Sequence, residues 1–189
     1  MADIRGVDDG GMPRDVAVDL LGKVKVSGPV RVSAAIYQRS AATTQYTAGD
    51  VIGDGDATLA AKPLAFEDVV DTPGGSGILA SVTIAHSAAE ATALLPELWL
   101  FSAPPTMVAD NAAWTLTDAD ILNCVAVISF SSSFIGYISN NTFFQAGEIC
   151  RPFVCPAGVR RLYGVLIARN AYTPLAGETF KVRLGVLSA

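Results

Sequence analysis

Near the C-terminal end, the run "TFKVRLGVL" (179–187) alternates with a period of two. Phe180, Val182, Leu184 and Val186 point one way, while Lys181 and Arg183 point the other. Such alternation fixes a half-buried β-strand with one wet face and excludes a helix over the same residues. Just before it, "LYGVLIARN" (162–170) carries apolar residues on both faces, as an interior strand of a two-layer structure does. Further strands are expected in "PLAFEDVV" (63–70), "ILASVTIAHS" (78–87), "PELWLFSA" (96–103), "VAVISFS" (125–131), "TFFQ" (142–145) and "EICRPFVC" (148–155), with a short one in "TTQYTA" (43–48). Gly, Pro, Asn and Asp clusters separate them, which is the punctuation of an all-β domain. Eight or nine strands with loops of this size predict an antiparallel β-sandwich of jelly-roll type.

Smaller signals fit the same frame. Ala-Gly stands directly before a strand at 48–49, 146–147, 157–158 and 176–177, where glycine can supply a positive φ. The irregular spacing of these pairs excludes a solenoid repeat. One short helix is expected at "TDADIL", with Thr117 as N-cap, Asp120 three residues on as a capping-box partner, and Asp118 at the positive end of the dipole. The 189 residues suffice for one domain with a sizeable core. Residues 1–39 are assigned to an N-terminal arm and 40–189 to the β-domain. The first 29 residues cannot bury much apolar surface alone, so the arm is expected to be partly extended and to order on a partner. Its apolar positions Ile4, Val16, Val18, Leu20, Leu21, Val24 and Val26 are the candidate partner-binding residues.

Composition narrows function. Apolar residues make up 51% and charged ones 16%, rich for a monomer that must keep itself apart from its neighbours. A membrane span does not account for this. The longest charge-free run, Ile121 to Gly147, holds five Ser and three Asn, and a spanning helix needs about 20 mostly apolar residues. The N-terminal residues contain no apolar segment of a secretory signal, so the chain is expected to remain where it is made. Burial of surface in an assembly is the better explanation. Charge is uneven: residues 1–39 balance at +1, 40–150 at −11 and 151–189 at +5, for a total of −5. With Arg160-Arg161 as the only basic pair, nucleic-acid binding is not expected, but docking through complementary patches is.

No motif predicts catalysis. His86 is the only histidine, there is no Gly-x-Ser-x-Gly elbow, and a Ser–His–acid relay would have to use His86 as its base. A hydrogen-bonded histidine at a strand end is the expected role. Cys124, Cys150 and Cys155 are expected to be free thiols, and a Cys-x4-Cys pair with a distant histidine is a poor metal site. Asp54 and Asp56, and Glu67, Asp68 and Asp71, could bring carboxylates together for acid–base work or calcium, but Asp54-Gly55-Asp56 lacks the features of an EF-hand loop. Solvated turns are expected there. "GGSG" (74–77) precedes a strand and has no following Lys-Ser/Thr, so it is no P-loop. Trp99, Phe101 and Trp114 are expected to pack in a core or interface. Neither a cofactor nor a metal is expected, and the chain is read as a non-enzyme.

Several segments together resemble a known class. The runs "YTAGDVIGD" (46–54), "GGSGIL" (74–79), "PELWLFSAPPT" (96–106), "ADNAAWTLTDADI" (109–121), "LYGVLIARNAYTP" (162–174) and "ETFKVRLGVL" (178–187) resemble head decoration, or cement, proteins of tailed bacteriophages. The resemblance covers residues 40 to 189. It implies a jelly-roll-like domain on the outer surface of the assembled capsid, made in the host cytoplasm, often a homotrimer at a symmetry axis. It also implies the major capsid protein as partner, bridging of coat subunits and capsid stabilisation, with no catalytic residues to carry over, no nucleic acid and no membrane. Two alternatives stand beside it: a phage tail, baseplate or head-fibre component, and a carbohydrate-binding β-sandwich or cupin-like enzyme. Cupin chemistry asks for several histidine ligands, and this chain has one.

Overall fold

A computed structural model describes residues 5–7, 13–15, 30–54, 60–87, 94–130, 135–138 and 141–188, with 5–7, 13–15 and 135–138 described by backbone alone. Two antiparallel sheets face each other. The first joins β3 (Val30–Gln38), β13 (Thr179–Ser188), β6 (Ser76–His86), β10 (Asn141–Ala146) and β9 (Ile135–Ile138) in that order, with β11 (Arg151–Val154) also pairing β6. The second runs β4 (Val51–Ile52), β12 (Leu162–Ala168), β7 (Pro96–Phe101) and β8 (Cys124–Ser129), with β5 (Leu64–Phe66) also on β12. A separate hairpin pairs β1 (Arg5–Val7) with β2 (Pro13–Asp15).

Grouping β4 with β5, and β9 with β10 and β11, leaves eight positions along the chain. Positions one, eight, three and six form the first sheet; two, seven, four and five form the second. The chain therefore crosses between sheets at nearly every step, which is the double Greek key of a jelly roll. The expected all-β class is what the chain adopts. Phe180, Val182, Leu184 and Val186 are all buried between the sheets, while Lys181 and Arg183 sit outside, as their alternation requires. β12 is the interior strand expected, flanked by β4 and β5 on one edge and β7 on the other. Leu79, Val82, Ile84, Leu98, Leu100, Leu166, Phe66 and Phe144 complete the centre of the core.

The helix α1 (Asp118–Ile121) starts with the expected capping box. The Asp120 amide donates to Thr117 Oγ1 at 3.1 Å, and the Thr117 hydroxyl donates to Asp120 Oδ2 at 2.7 Å.

Four expectations require correction. Residues 30–38, assigned to the arm, form β3 and pair with β13 along their whole length, so the sandwich begins at Val30. The apolar alternation of "VRVSAAIYQ" is satisfied by that pairing. "TTQYTA" contributes only a bridge, Tyr46 to Tyr172. Its tyrosine is captured by a buried polar cluster that draws the backbone off a ladder. The strand expected over 63–70 stops at Phe66, because Asp68 takes a left-handed turn conformation at φ 52°. Three of the four Ala-Gly glycines have positive φ, at Gly49, Gly158 and Gly177; at 146–150 the turn instead uses Glu148 (φ 54°) and Cys150 (φ 49°).

Candidate functional site

The outer faces of the two sheets have opposite fates. The segment from Ser102 to Thr117 folds back over the second sheet. Trp114 stands edge-on to Trp99 and Phe101, with ring centroids 5.4 and 5.8 Å away. Val51, Phe101, Val165 and Ile167 are buried beneath this cover, with Met107, Val108 and Leu116 packed against them. Hydrogen bonds hold the cover down: Ala61 N donates to Val108 O at 2.8 Å, Val51 N to Ala112 O at 3.0 Å, and Trp114 Nε1 to Thr106 O at 3.2 Å. Asp120 ties it to the helix by accepting from Thr106 N at 3.1 Å. The Thr117 hydrogen bond holds the Asp120 carboxyl below its ordinary range; burial opposes it and the Thr106 amide adds to it. The Trp99 indole donates to Glu97, which also accepts from Ser129 and faces Arg169 at 3.2 Å. The aromatic trio is thus packing, as expected.

The first sheet has no such cover among the described residues. Strand alternation and register place Val30, Val32, Ala34, Ile36 and Gln38 of β3 on the outer face beside Leu187, Gly185, Arg183, Lys181 and Thr179 of β13. Val30, Val32 and Ile36 are 72%, 69% and 58% exposed, and Phe143 on β10 is 38% exposed. Ile78, Ser81, Thr83 and Ala85 of β6 complete the middle. The four strands β3, β13, β6 and β10 present two cations on this face, Lys181 and Arg183, and no carboxylate among the described residues. It is an apolar, cationic surface spanning these four strands.

A third feature lies inside, at one end of the sandwich. Arg39 reaches Asp110 at 3.0 Å and Glu178 at 3.3 Å, all three buried. Tyr46 donates to Asp110 at 2.6 Å, as does Gly53 N at 2.7 Å. Glu178 also takes the Tyr172 hydroxyl, Leu175 N at 3.0 Å and His86 Nε2 at 3.1 Å. His86 stacks on Phe180 at 4.1 Å. Burial alone would push the Glu178 carboxyl up; the hydrogen bonds from His86 and Tyr172 outweigh it and hold the group low. Burial pushes the Tyr46 phenol well above its usual range. The expected strand-end role of His86 is met, since it joins β6 to the loop before β13. Each carboxylate of this cluster is saturated by donors, an arrangement suited to locking the closed end of the sandwich.

The remaining expected residues are dispersed. Glu67 pairs with Arg161 at 3.0 Å, Asp68 with Arg160 at 2.5 Å, and Asp71 with Arg31. Asp54 accepts from Ser40 N at 3.1 Å through its main-chain carbonyl, and Asp56 lies outside the described residues. Burial raises the Cys124 and Cys155 thiols above their usual range, which keeps them protonated. The arm positions Ile4, Val16, Val18, Leu20, Leu21, Val24 and Val26 all lie outside the described residues. Sequence reading missed the exposed row Val30, Val32 and Ile36 as a surface; its signal was the period-two pattern before residue 40.

No protein-family model matches the chain, and no curated protein matches it. Solved structures to which the chain shows similarity include the capsid of Ralstonia phage GP4, at 16% identity and a TM-score of 0.37, covering 86% of each chain. A cyanophage Pam1 capsid chain follows at 13% identity and a TM-score of 0.35, covering 86% of this chain and 87% of that one. Triatoma virus gives 11% identity and a TM-score of 0.26, covering 95% and 75%. The jelly-roll assignment itself rests on the strand order of this chain.

Proposed function

We propose that the chain is a viral structural protein that binds the outer surface of an assembled phage capsid and stabilises it by bridging coat subunits. The observation that carries this reading is the uncovered outer face of the first sheet. A chain that folds its own segment 102–117 over one apolar face, yet leaves Val30, Val32 and Ile36 exposed on the other, has a surface suited to a partner. Lys181 and Arg183, with no carboxylate beside them on that face among the described residues, fit a coat surface that combines apolar patches with acidic groups. The segments that resemble decoration proteins support the same reading, as does the expected non-enzymatic character of the chain. A footprint on the order of 1,000 Å² gives modest affinity per site, and repetition over a lattice raises it by avidity. The homotrimeric state and the arm's contact with the coat belong to this proposal.

The copy number of the chain per major capsid protein, measured by quantitative mass spectrometry of purified virions, tests the reading. A ratio near one, or a sizeable fraction of one, supports lattice-wide decoration. A few copies per hundred coat subunits would move the protein to the tail or a head vertex. Absence from the particle would overturn the proposal.

A further inference from the structure

β3 is an edge strand of nine residues: β13 occupies one side, and no described strand pairs with the other. Its hydrogen-bonding parity can be read directly. Arg39 N donates to Glu178 O at 2.9 Å, in unbroken register with the β13 ladder. In an antiparallel ladder, alternate residues address the same neighbour. The odd residues Arg31 to Arg39 therefore turn their amide and carbonyl groups toward β13. Those of Val30, Val32, Ala34, Ile36 and Gln38 point to the open edge. The edge closes at Ser40, whose amide donates to Asp54 O at 3.1 Å.

We infer that this edge pairs with the same edge of a second copy, antiparallel about a twofold axis through Ala34. Such a self-pairing is isologous, so each residue's partner is fixed by symmetry. Centring on Ala34 pairs all nine residues: Val30 with Gln38 of the second copy, Val32 with Ile36, and Ala34 with itself. Every one of these is an even-numbered residue, so each pair can exchange both of its hydrogen bonds. On the outer face, the small Ala34 at the axis is flanked by two Val–Ile contacts, and no like charges stand opposite each other. On the inner face, Arg31 comes opposite Tyr37.

Charge does not oppose the same arrangement. A groove of about 590 Å³ runs beside Val30 to Ala34 and is lined by Glu67, Asp68 and Arg31, with both carboxylates already paired to Arg161 and Arg160; one of about 380 Å³ runs beside Ala34 to Tyr37 and is lined by Lys62 and Asp54. An antiparallel twofold sets the Glu67–Asp68 end of each copy against the end that carries the exposed Lys62 of the other, so no two unpaired like charges meet. Among its nine residues β3 holds no proline and one charged side chain, Arg31. The contact stays below about 1,200 Å², so association is expected in the micromolar range and rises with concentration. It does not depend on capsid binding, and it can link copies whatever other surface they share.

Disulfide trapping in a Cys150→Ser background tests the register. Cα atoms of directly hydrogen-bonded partners lie about 5.5 Å apart, within disulfide reach. Ala34→Cys is expected to cross-link to itself. Val32→Cys and Ile36→Cys, whose symmetry mates lie about 14 Å away along the strand, should cross-link only when mixed together. In sedimentation equilibrium, Ala34→Lys places like charges at the axis and should halve the mass of the wild-type species at equal concentration. Ala34 is exposed, so circular dichroism should show an unchanged fold. Equal cross-linking at all three positions, no cross-link at Ala34→Cys, or an unchanged mass for Ala34→Lys would each overturn the proposal. Failure of Ala34→Cys to cross-link because the chain's own residues 16–29 occupy the edge counts among these. Capsid binding is measured separately, on particles, so the two proposals fail independently.

Discussion

The outer faces of the two sheets carry comparable apolar side chains, yet one is buried and the other is not. On the second sheet, Phe101 is fully buried and Trp99 half-buried because residues 102–117 return across them, closed by the Asp120 hydrogen bonds and the Trp114 edge contacts. On the first sheet, Val32 and Ile36 occupy equivalent outward positions on β3 and stay more than half exposed. The difference teaches that an apolar residue on a strand is not by itself a core residue: what the chain provides to cover it decides. It also sets different expectations for mutation. Changes under the cover should cost stability, whereas changes on the open face should cost binding.

The largest expected effect is at Phe101. Phe101→Ala removes a fully buried ring and should cost about 3–5 kcal/mol in urea unfolding. A loss below about 1 kcal/mol would mean that the cover does not hold the second sheet. Asp120→Ala removes the helix cap and the tie to Thr106 together, and should cost about 1–2 kcal/mol. Its effect should be larger on tryptophan fluorescence than on far-ultraviolet circular dichroism, since Trp99 lies under the segment it anchors and Trp114 is part of that segment.

Acid should act on the same anchor. The Asp120 and Glu178 carboxyls are held below their ordinary values in the folded chain. The stability they contribute is therefore complete above the unfolded carboxylate values near about 4 and is lost as pH falls through the lower folded values. A thermal midpoint that is flat from neutral pH to about 5 and falls below about 4 is expected, with a shallower fall in Glu178→Gln. Equal acid sensitivity in Glu178→Gln and the wild type would remove Glu178 from this account. The smallest stability effect is on the open face: Val32→Ser with Ile36→Ser should change unfolding by within about 0.5 kcal/mol per site. The same pair should weaken binding to isolated capsids by about tenfold or more, the equivalent of about 1.4 kcal/mol. Unchanged capsid binding by this variant would return the open face to an ordinary surface.

Much of this architecture was legible because it is local. The alternation from Phe180 to Val186 marked its strand and its faces, and Thr117 with Asp120 marked the helix start within four residues. What was not legible depends on distant residues. Arg39 meets Asp110 and Glu178 across separations of 71 and 139 residues, and no spacing rule connects them. Tyr46 looked like a strand residue because its neighbours alternate; its hydroxyl goes to Asp110, a partner only the fold supplies. β4 and β9 are too short or too polar in context to stand out, and β3 was grouped with the arm because its partner, β13, lies at the far end of the chain. The open face was hidden for a related reason: the sequence shows which residues alternate, but the covering of one face and not the other follows from the path of residues 102–117.

Hydroxyl-radical footprinting of the free chain and of the chain bound to purified capsids tests this asymmetry directly. The account predicts that binding protects Val32, Ile36, Phe143 and Leu187 on the open face and leaves the side chains of 102–117 as they were. Protection centred on 102–117, with Val32 and Ile36 still oxidised at the free rate, would contradict it.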